Sequence, residues 1–230
     1  MVPVAAQTIL TSPFFYASGL AICAVVWCLR HCKHLGPVLT FEKIGIPPKN
    51  SPLQHTWTSA DALEKILRRL VHKQYTFLTP GQLRSPQPKK SVCCVFAGGY
   101  RSFYTHAFPL LQKYQIPAVL LLAPDAIGTY NRWQDPHEEP WQDLLTQHEL
   151  NELKKSALLS FGALPLGGQD ISACEPEQAA FAVKESIYRL KNYQNITPTC
   201  WSNYPARTLT PECLAALEKN GLTLPFIQVN

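Results

Sequence analysis

The sequence predicts an α/β fold with a parallel sheet, open or barrel-shaped, behind an apolar N-terminal segment. Two continuous apolar runs, residues 91–96 and 116–124, are typical of strands that are buried on both faces of a sheet. Amphipathic stretches with helical spacing alternate with such runs from residue 59 onwards. In a sheet of this kind the functional loops follow the carboxyl ends of the strands.

The N-terminal segment predicts a retained membrane anchor. Residues 1–29 carry no charged side chain, and residues 9–29 form an apolar run that as a helix would span roughly 31 Å, the thickness of a bilayer core. Arg30 and Lys33 follow the run, which favours a cytoplasmic C-terminal side. A cleaved signal peptide is the alternative, but the basic residues that should precede the run are missing. We therefore divide the chain into an anchor with its basic flank, 1–35, and a globular domain, 36–230.

The elements of the globular part can be assigned in order. A short strand is predicted at 38–41, and Thr58 or Ser59 can cap a helix that continues to about residue 73. Residues 197–206 are consistent with a strand or a loop. The other predicted strands are 75–79, 91–96, 116–124, 158–164 and 222–228, and the other predicted helices are 100–114, 145–157, 175–194 and 210–221.

Charge and cysteine content exclude two classes of function. The formal net charge of +5 comes from scattered Lys and Arg, and no nucleic-acid-binding motif is present. None of the eight cysteines has zinc-type Cys-x-x-Cys spacing. Cys93 and Cys94 are adjacent on a predicted strand, so we expect them to point to opposite faces as small buried hydrophobic residues.

Five ordered segments of the globular part resemble the NodB-homology polysaccharide deacetylases, most closely the branch that removes N-acetyl groups from poly-N-acetylglucosamine. The resemblance implies a distorted (β/α) barrel of about seven strands, preceded here by the transmembrane helix. The segments are "VLTFEKIG", "WTSADALEKILRRLVHKQYTFLTPGQL", "FAGGYRSFYTHAFPLLQKYQIPAVLLLAP", "LTQHELNELKKSALLSFGALPLGG" and "NYPAR".

The family resemblance implies a divalent metal held by one Asp and two His, with a second Asp as general base. Carried over by position, the base falls on Ala97 and the metal Asp on Gly98 of the Ala-Gly-Gly turn. The two metal His positions fall on Leu164 and Gly168, and the opening His of the family falls on Glu42. Ala, Gly and Leu side chains offer no lone pair, so we expect neither a metal nor another cofactor.

A ligand groove without catalysis is the function that we favour. The resemblance would place six aromatic, amide or guanidinium side chains near the loop ends of the barrel, and such groups can hold a sugar chain. A solvated or packing role for the same residues stays open. They are Tyr100, Arg101, Trp201, Asn203, Tyr204 and Arg207.

The sequence thus predicts a membrane-anchored, non-catalytic deacetylase homologue in exopolysaccharide or envelope metabolism. Its expected partner is an N-acetylglucosamine-type glycan or a polysaccharide-synthesis protein. The family favours an extracytoplasmic site of action, whereas the basic flank favours the cytoplasm. The alternative is an active carbohydrate N-deacetylase with a rebuilt metal site. Its ligands would come from His-Glu pairs that we interpret as solvated surface: His106, His137, Glu138, Glu139, His148 and Glu149.

Overall fold

The computed structural model describes residues 38–84, 86–168, 171, 174–203, 211–220 and 222. The predicted membrane span, the predicted strand after residue 222, Tyr204 and Arg207 lie outside these residues. Among the helices within the described ranges, none combines the length and the apolar character needed to cross a membrane.

The predicted parallel sheet is confirmed, and every strand pair in it is parallel. The described strands are β1 (Val38–Phe41), β2 (Lys43–Ile44), β3 (Trp57–Thr58), β4 (Thr76–Phe77), β5 (Ser91–Phe96), β6 (Ala118–Leu122) and β7 (Leu159–Ala163). The main path of the sheet runs β1-β5-β6-β7, and β4 pairs with the start of β5, while β2 and β3 form a separate two-stranded sheet. The described part therefore contains a five-stranded sheet.

The centre of the sheet is formed by the two apolar runs, because all residues of β5 and β6 are buried. Side chains alternate across the sheet. Cys93 belongs to an interior cluster with Val95, Val119 and Leu121, and Cys94 is buried outside that cluster. The prediction that the two cysteines are small buried residues on opposite faces agrees with this arrangement.

The described residues contain five α-helices. Ser59, rather than Thr58, caps the first helix by accepting a hydrogen bond from the backbone N–H of Ala62 at 3.2 Å. Thr146 and Glu149 form a capping box at the start of the third helix. The helices are α1 (Ala60–His72), α2 (Phe108–Tyr114), α3 (Gln147–Leu153), α4 (Pro176–Asn192) and α5 (Pro211–Lys219).

Two predicted elements differ in detail from the structure, and the segment predicted as a strand or a loop is defined at one residue. The strand expected at 75–79 is limited to Thr76–Phe77, since only Ser91 and Val92 of β5 pair with it. The helix expected at 100–114 begins with a π-helical turn, Phe103–Ala107, and becomes α-helical only at α2. Trp201 forms an isolated parallel bridge with Ala163 and so continues the sheet beyond β7.

Candidate functional site

The loops at the carboxyl edge of the sheet bring together five residues that are far apart in sequence. Glu42, Ala97, Gly98, Leu164 and Gly168, the five positions carried over from the family motifs, line one small pocket with Tyr100 and Trp133. The pocket encloses only about 20 Å³, which is room for about one water molecule and far below the roughly 300 Å³ at which typical ligand pockets begin. We call this feature the small pocket.

The Tyr100 ring fills the space beside Gly98. A Cβ atom built on Gly98 would lie 2.4 Å from Cε2 of Tyr100, much closer than the 3.5–4.0 Å at which carbon atoms pack best. Gly98 also has a φ of +97°, which is unfavourable for residues with a side chain. An Asp at this position would require both the ring and the backbone to move.

Trp133 has the same relation to Gly168 on the other side of the small pocket. A Cβ atom on Gly168 would lie 2.6 Å from Cδ2 and Cε3 of the indole, and the φ of Gly168 is +63°. The Trp133 and Tyr100 rings meet edge to face with centroids 6.1 Å apart. Two aromatic rings therefore occupy the space where side chains on these glycines would have to lie.

The loop that carries Trp133 is held by a hydrogen-bonded network. Asn131 donates to Gln134 Oε1 at 3.0 Å, and its own Oδ1 accepts from the backbone N–H of Gln142. Gln134 Oε1 also accepts from Lys43 Nζ at 2.8 Å. Because these contacts flank Trp133 on both sides in the chain, they fix the position of its indole.

A buried ion pair anchors this loop to β2 and β3. Lys43 Nζ lies 2.5 Å from Glu139 Oε1, and the two side chains are 2% and 0% exposed. Glu139 Oε2 accepts hydrogen bonds from Ser51 Oγ and, at 2.9 Å, from Trp57 Nε1. Burial raises the pKa of Glu139, but the hydrogen bonds from Lys43, Ser51 and Trp57 outweigh it, so the pKa lies below its ordinary value. The carboxylate is therefore ionised at neutral pH.

The residues of the small pocket do not fit a divalent metal. At the five positions implied by the family, only Glu42 has a side chain with a lone pair, since the others are Ala, Gly, Leu and Gly. Within the described ranges, no three His, Cys, Asp or Glu side chains are grouped in a way that could hold a metal ion. Burial also raises the pKa of Cys93 and Cys200 to about 12, so neither thiol is an available nucleophile at neutral pH.

A second concave region lies directly beside the small pocket and shares Tyr100 with it. It encloses about 250 Å³, and we call it the polar cleft. Its walls come from β2, β3, the start of the π-helical turn and the loop before α3. The lining residues are Lys43, Trp57, Tyr100, Arg101, Ser102, Thr105, Gln142 and Asp143.

Arg101 forms one wall of the polar cleft and is held in place by two carboxylates. Its Nε donates to Glu149 Oε1 at 2.7 Å, and its Nη1 lies 3.8 Å from Asp143 Oδ2. Burial raises the pKa of Glu149, but the hydrogen bonds from Thr146 and Arg101 together lower it by more, so the pKa lies below its ordinary value. Glu149 thus serves both the cap of α3 and the orientation of Arg101.

The ligand-groove candidates from the sequence are placed in different surroundings. Arg101 lines the polar cleft, and Tyr100 contributes to both the cleft and the small pocket. Trp201 and Asn203 are buried at the end of the sheet. Among the described residues, Trp201 Nε1 and both amide atoms of Asn203 have no hydrogen-bond partner. Their role in ligand binding stays a prediction, as does that of Tyr204 and Arg207.

The interpretation of the His-Glu pairs as solvated surface is wrong for two of the carboxylates. Glu139 and Glu149 are buried, because each has a cationic partner and a set of hydrogen bonds. His137, Glu138 and His148 are exposed. Lys43, Trp57 and Trp133 were not predicted as site residues. The one available signal was that small or apolar residues at four family positions leave space for a large side chain from a neighbouring loop.

Comparison with known proteins places this geometry in a family. The sequence profile described as Polysaccharide deacetylase matches residues 84–225. A poly-beta-1,6-N-acetyl-D-glucosamine N-deacetylase of Staphylococcus epidermidis is 27% identical over 148 residues, 60% of this chain and 48% of that protein. The enzyme of the same description from Escherichia coli K12 is 56% identical over 34 residues, 15% of this chain and 5% of that protein. The chain thus spans at most about half the length of these relatives.

Solved structures share the fold at low sequence identity. The Streptococcus pyogenes deacetylase PplD in complex with acetate has a TM-score of 0.64 and 19% identity, covering 82% of this chain and 81% of that one. IcaB from Ammonifex degensii has a TM-score of 0.63 and 18% identity, covering 81% of this chain and 82% of that one. At these identities the likeness extends to the α/β fold with its parallel sheet.

Proposed function

The chain belongs to the polysaccharide deacetylase family, and we propose that it is a member without deacetylase chemistry. In this proposal the protein binds an N-acetylglucosamine-type glycan, or a partner protein, in exopolysaccharide or cell-envelope metabolism. The link to this metabolism is supported by the relatives described as poly-N-acetylglucosamine deacetylases.

The observation that carries the proposal is the composition of the small pocket. The five family positions converge there, and four of them have side chains that can neither bind a metal nor accept a proton. Tyr100 and Trp133 fill the space that the missing side chains would need. Because the loss involves two separate segments of the chain and is sterically compensated, a single-residue reversion would not restore the site.

An activity assay with a binding readout tests the proposal. The full chain in detergent would be mixed with an oligomer of β-1,6-linked N-acetylglucosamine in the presence of zinc, cobalt or nickel, and acetate release and binding would both be measured. We expect binding without acetate release above the protein-free control. Metal-dependent release of acetate would instead support an active deacetylase with a rebuilt site.

We also propose that residues 9–29 anchor the protein in a membrane. The support is the uncharged apolar run and the basic residues that follow it. A reporter fused after Asn230 that is active on only one side of the membrane would give the orientation. Recovery of the full chain in the soluble fraction after cell lysis would contradict the anchor.

A further inference from the structure

The polar cleft has the composition of a binding site for an uncharged sugar ring, and we propose that it is the glycan site of this protein. The inference rests on the proposed function and adds to it the position of the site and the chemical class of its ligand. The proposed ligand binds in the polar cleft, which is open, and not in the neighbouring small pocket, which Tyr100 and Trp133 fill.

The size and position of the polar cleft suit one small ring. Its volume of about 250 Å³ lies just below the range of about 300–1,000 Å³ that is typical for drug-sized ligands, so it suits one small ring. Lys43, Arg101 and Gln142 reach it from segments that follow β1, β5 and β6. The carboxyl edge is where ligands bind in folds with parallel sheets.

The charges that line the polar cleft favour a ligand without charge. Lys43 is paired with Glu139 at 2.5 Å, and Arg101 is paired with Glu149 at 2.7 Å. An anionic ligand would therefore find both cations already neutralised and would face the carboxylate of Asp143, which is 58% exposed. A ligand without charge avoids this repulsion and leaves both pairs intact, of which the Lys43–Glu139 pair is fully buried.

Several side chains that line the polar cleft are held in position and still have hydrogen-bonding capacity. Trp57 is held by its bond to Glu139, and Ser102 Oγ accepts from the backbone N–H of Ile44 at 3.1 Å, so the Ser102 hydroxyl can still donate. Gln142 uses its amide donor on the carbonyl of Pro140 at 2.7 Å, which leaves its amide oxygen as an acceptor. An aromatic surface surrounded by fixed donors and acceptors suits a ring with an apolar face and several hydroxyl groups.

The test compares two neighbouring residues of the π-helical turn in the full chain. Thr105 is exposed and lines the cleft, whereas His106 is exposed and does not line it. Thr105→Trp should obstruct the cleft, and His106→Trp adds the same bulk outside it. We expect Thr105→Trp to weaken binding of the β-1,6-N-acetylglucosamine oligomer by about tenfold or more, with the His106→Trp variant close to the parent.

A second variant tests the polar contacts without added bulk. Asp143→Ala removes an exposed carboxylate and should weaken oligomer binding by about tenfold, the effect of losing one hydrogen bond to a charged group. An oligogalacturonate of equal length serves as the anionic probe and should bind more weakly than the neutral oligomer. Thermal unfolding of each variant shows whether the fold is retained.

The outcomes separate this inference from the proposed function. If the neutral oligomer binds the parent and the Thr105→Trp variant equally well, the cleft is not the site, although glycan binding itself stands. Tighter binding of the anionic oligomer would overturn the ligand class. If no oligomer binds the parent, both the cleft as a sugar site and the glycan form of the proposed function are wrong.

Discussion

The small pocket and the polar cleft lie side by side at the carboxyl edge of the sheet and share Tyr100, yet their chemistry is opposite. The small pocket encloses about 20 Å³ and is closed by two aromatic rings. The polar cleft encloses about 250 Å³ and presents charged, amide and hydroxyl groups. The comparison teaches that small residues at the metal and base positions of the family need not leave a cavity, because a neighbouring loop can fill the space while the surface beside it stays open.

The two regions are connected by the buried Lys43–Glu139 pair. Lys43 Nζ lies 5.5 Å from the centre of the Trp57 ring and 5.7 Å from that of Tyr100, so it contacts both regions. Glu139 belongs to the loop that carries Trp133, and the Lys43–Gln134 hydrogen bond ties the same loop to β2. Disturbing this pair should therefore affect the small pocket and the polar cleft together.

The largest effect is expected from breaking this pair. Lys43→Met would leave the Glu139 carboxylate buried without its cation, and removal of one partner of a buried pair costs about 3–5 kcal/mol of unfolding free energy. Chemical denaturation would measure the loss. The control is Lys155→Ala, which removes a surface pair with Glu152 and should leave stability within experimental error. A loss below about 1 kcal/mol for Lys43→Met would show that the pair does not anchor the loop.

The strands and helices could be predicted from the sequence better than the contacts that shape the small pocket and the polar cleft. The apolar runs of β5 and β6 and the Ser59 cap are local signals, so they can be identified without tertiary information. The Lys43–Glu139 pair joins residues 96 positions apart, and the charged stretch around Glu139 has the composition of a solvated loop. The insertion of Trp133 beside Gly168 depends on how that loop folds, and no periodicity or motif encodes it.

An intermediate effect should come from adding one methyl group to the small pocket. Gly168→Ala combines a positive φ with a contact to the Trp133 ring, whereas Gly128→Ala has a φ of +79° and nothing within 4 Å of its Cβ. Both substitutions place a side chain at positive φ, so the difference between them mainly reports packing. We expect Gly168→Ala to lose about 1–3 kcal/mol more than Gly128→Ala, a typical cost of overpacking.

The control for this comparison removes the ring. In the Trp133→Ala background, Gly168→Ala should lose only what Gly128→Ala loses, since the contact is gone. Equal losses for the two glycine substitutions in the parent, measured by denaturant unfolding, would mean that Trp133 does not fill the small pocket.

The smallest effect is a change in the pH dependence of stability. The folded-state pKa of Glu139 lies below the ordinary value of 4.5, so its contribution to stability is complete above that value and is lost as the pH falls through the folded-state pKa. Glu139→Gln removes this titration. We therefore expect the variant to be less stable at pH 7 but to show a shallower loss of stability below pH 4.5 than the parent. Parallel acid-unfolding curves would contradict the assignment.

The most direct test of the central claim is the metal content of the full chain. The protein would be purified in detergent without chelators, incubated with zinc, cobalt or nickel, desalted and measured by elemental analysis. The account predicts less than stoichiometric metal, with a fold and thermal stability that do not change on metal addition, because the small pocket offers no set of donors. One metal ion per chain, held through desalting and lost on Glu42→Ala, would show that the small pocket still binds a metal and would contradict the account.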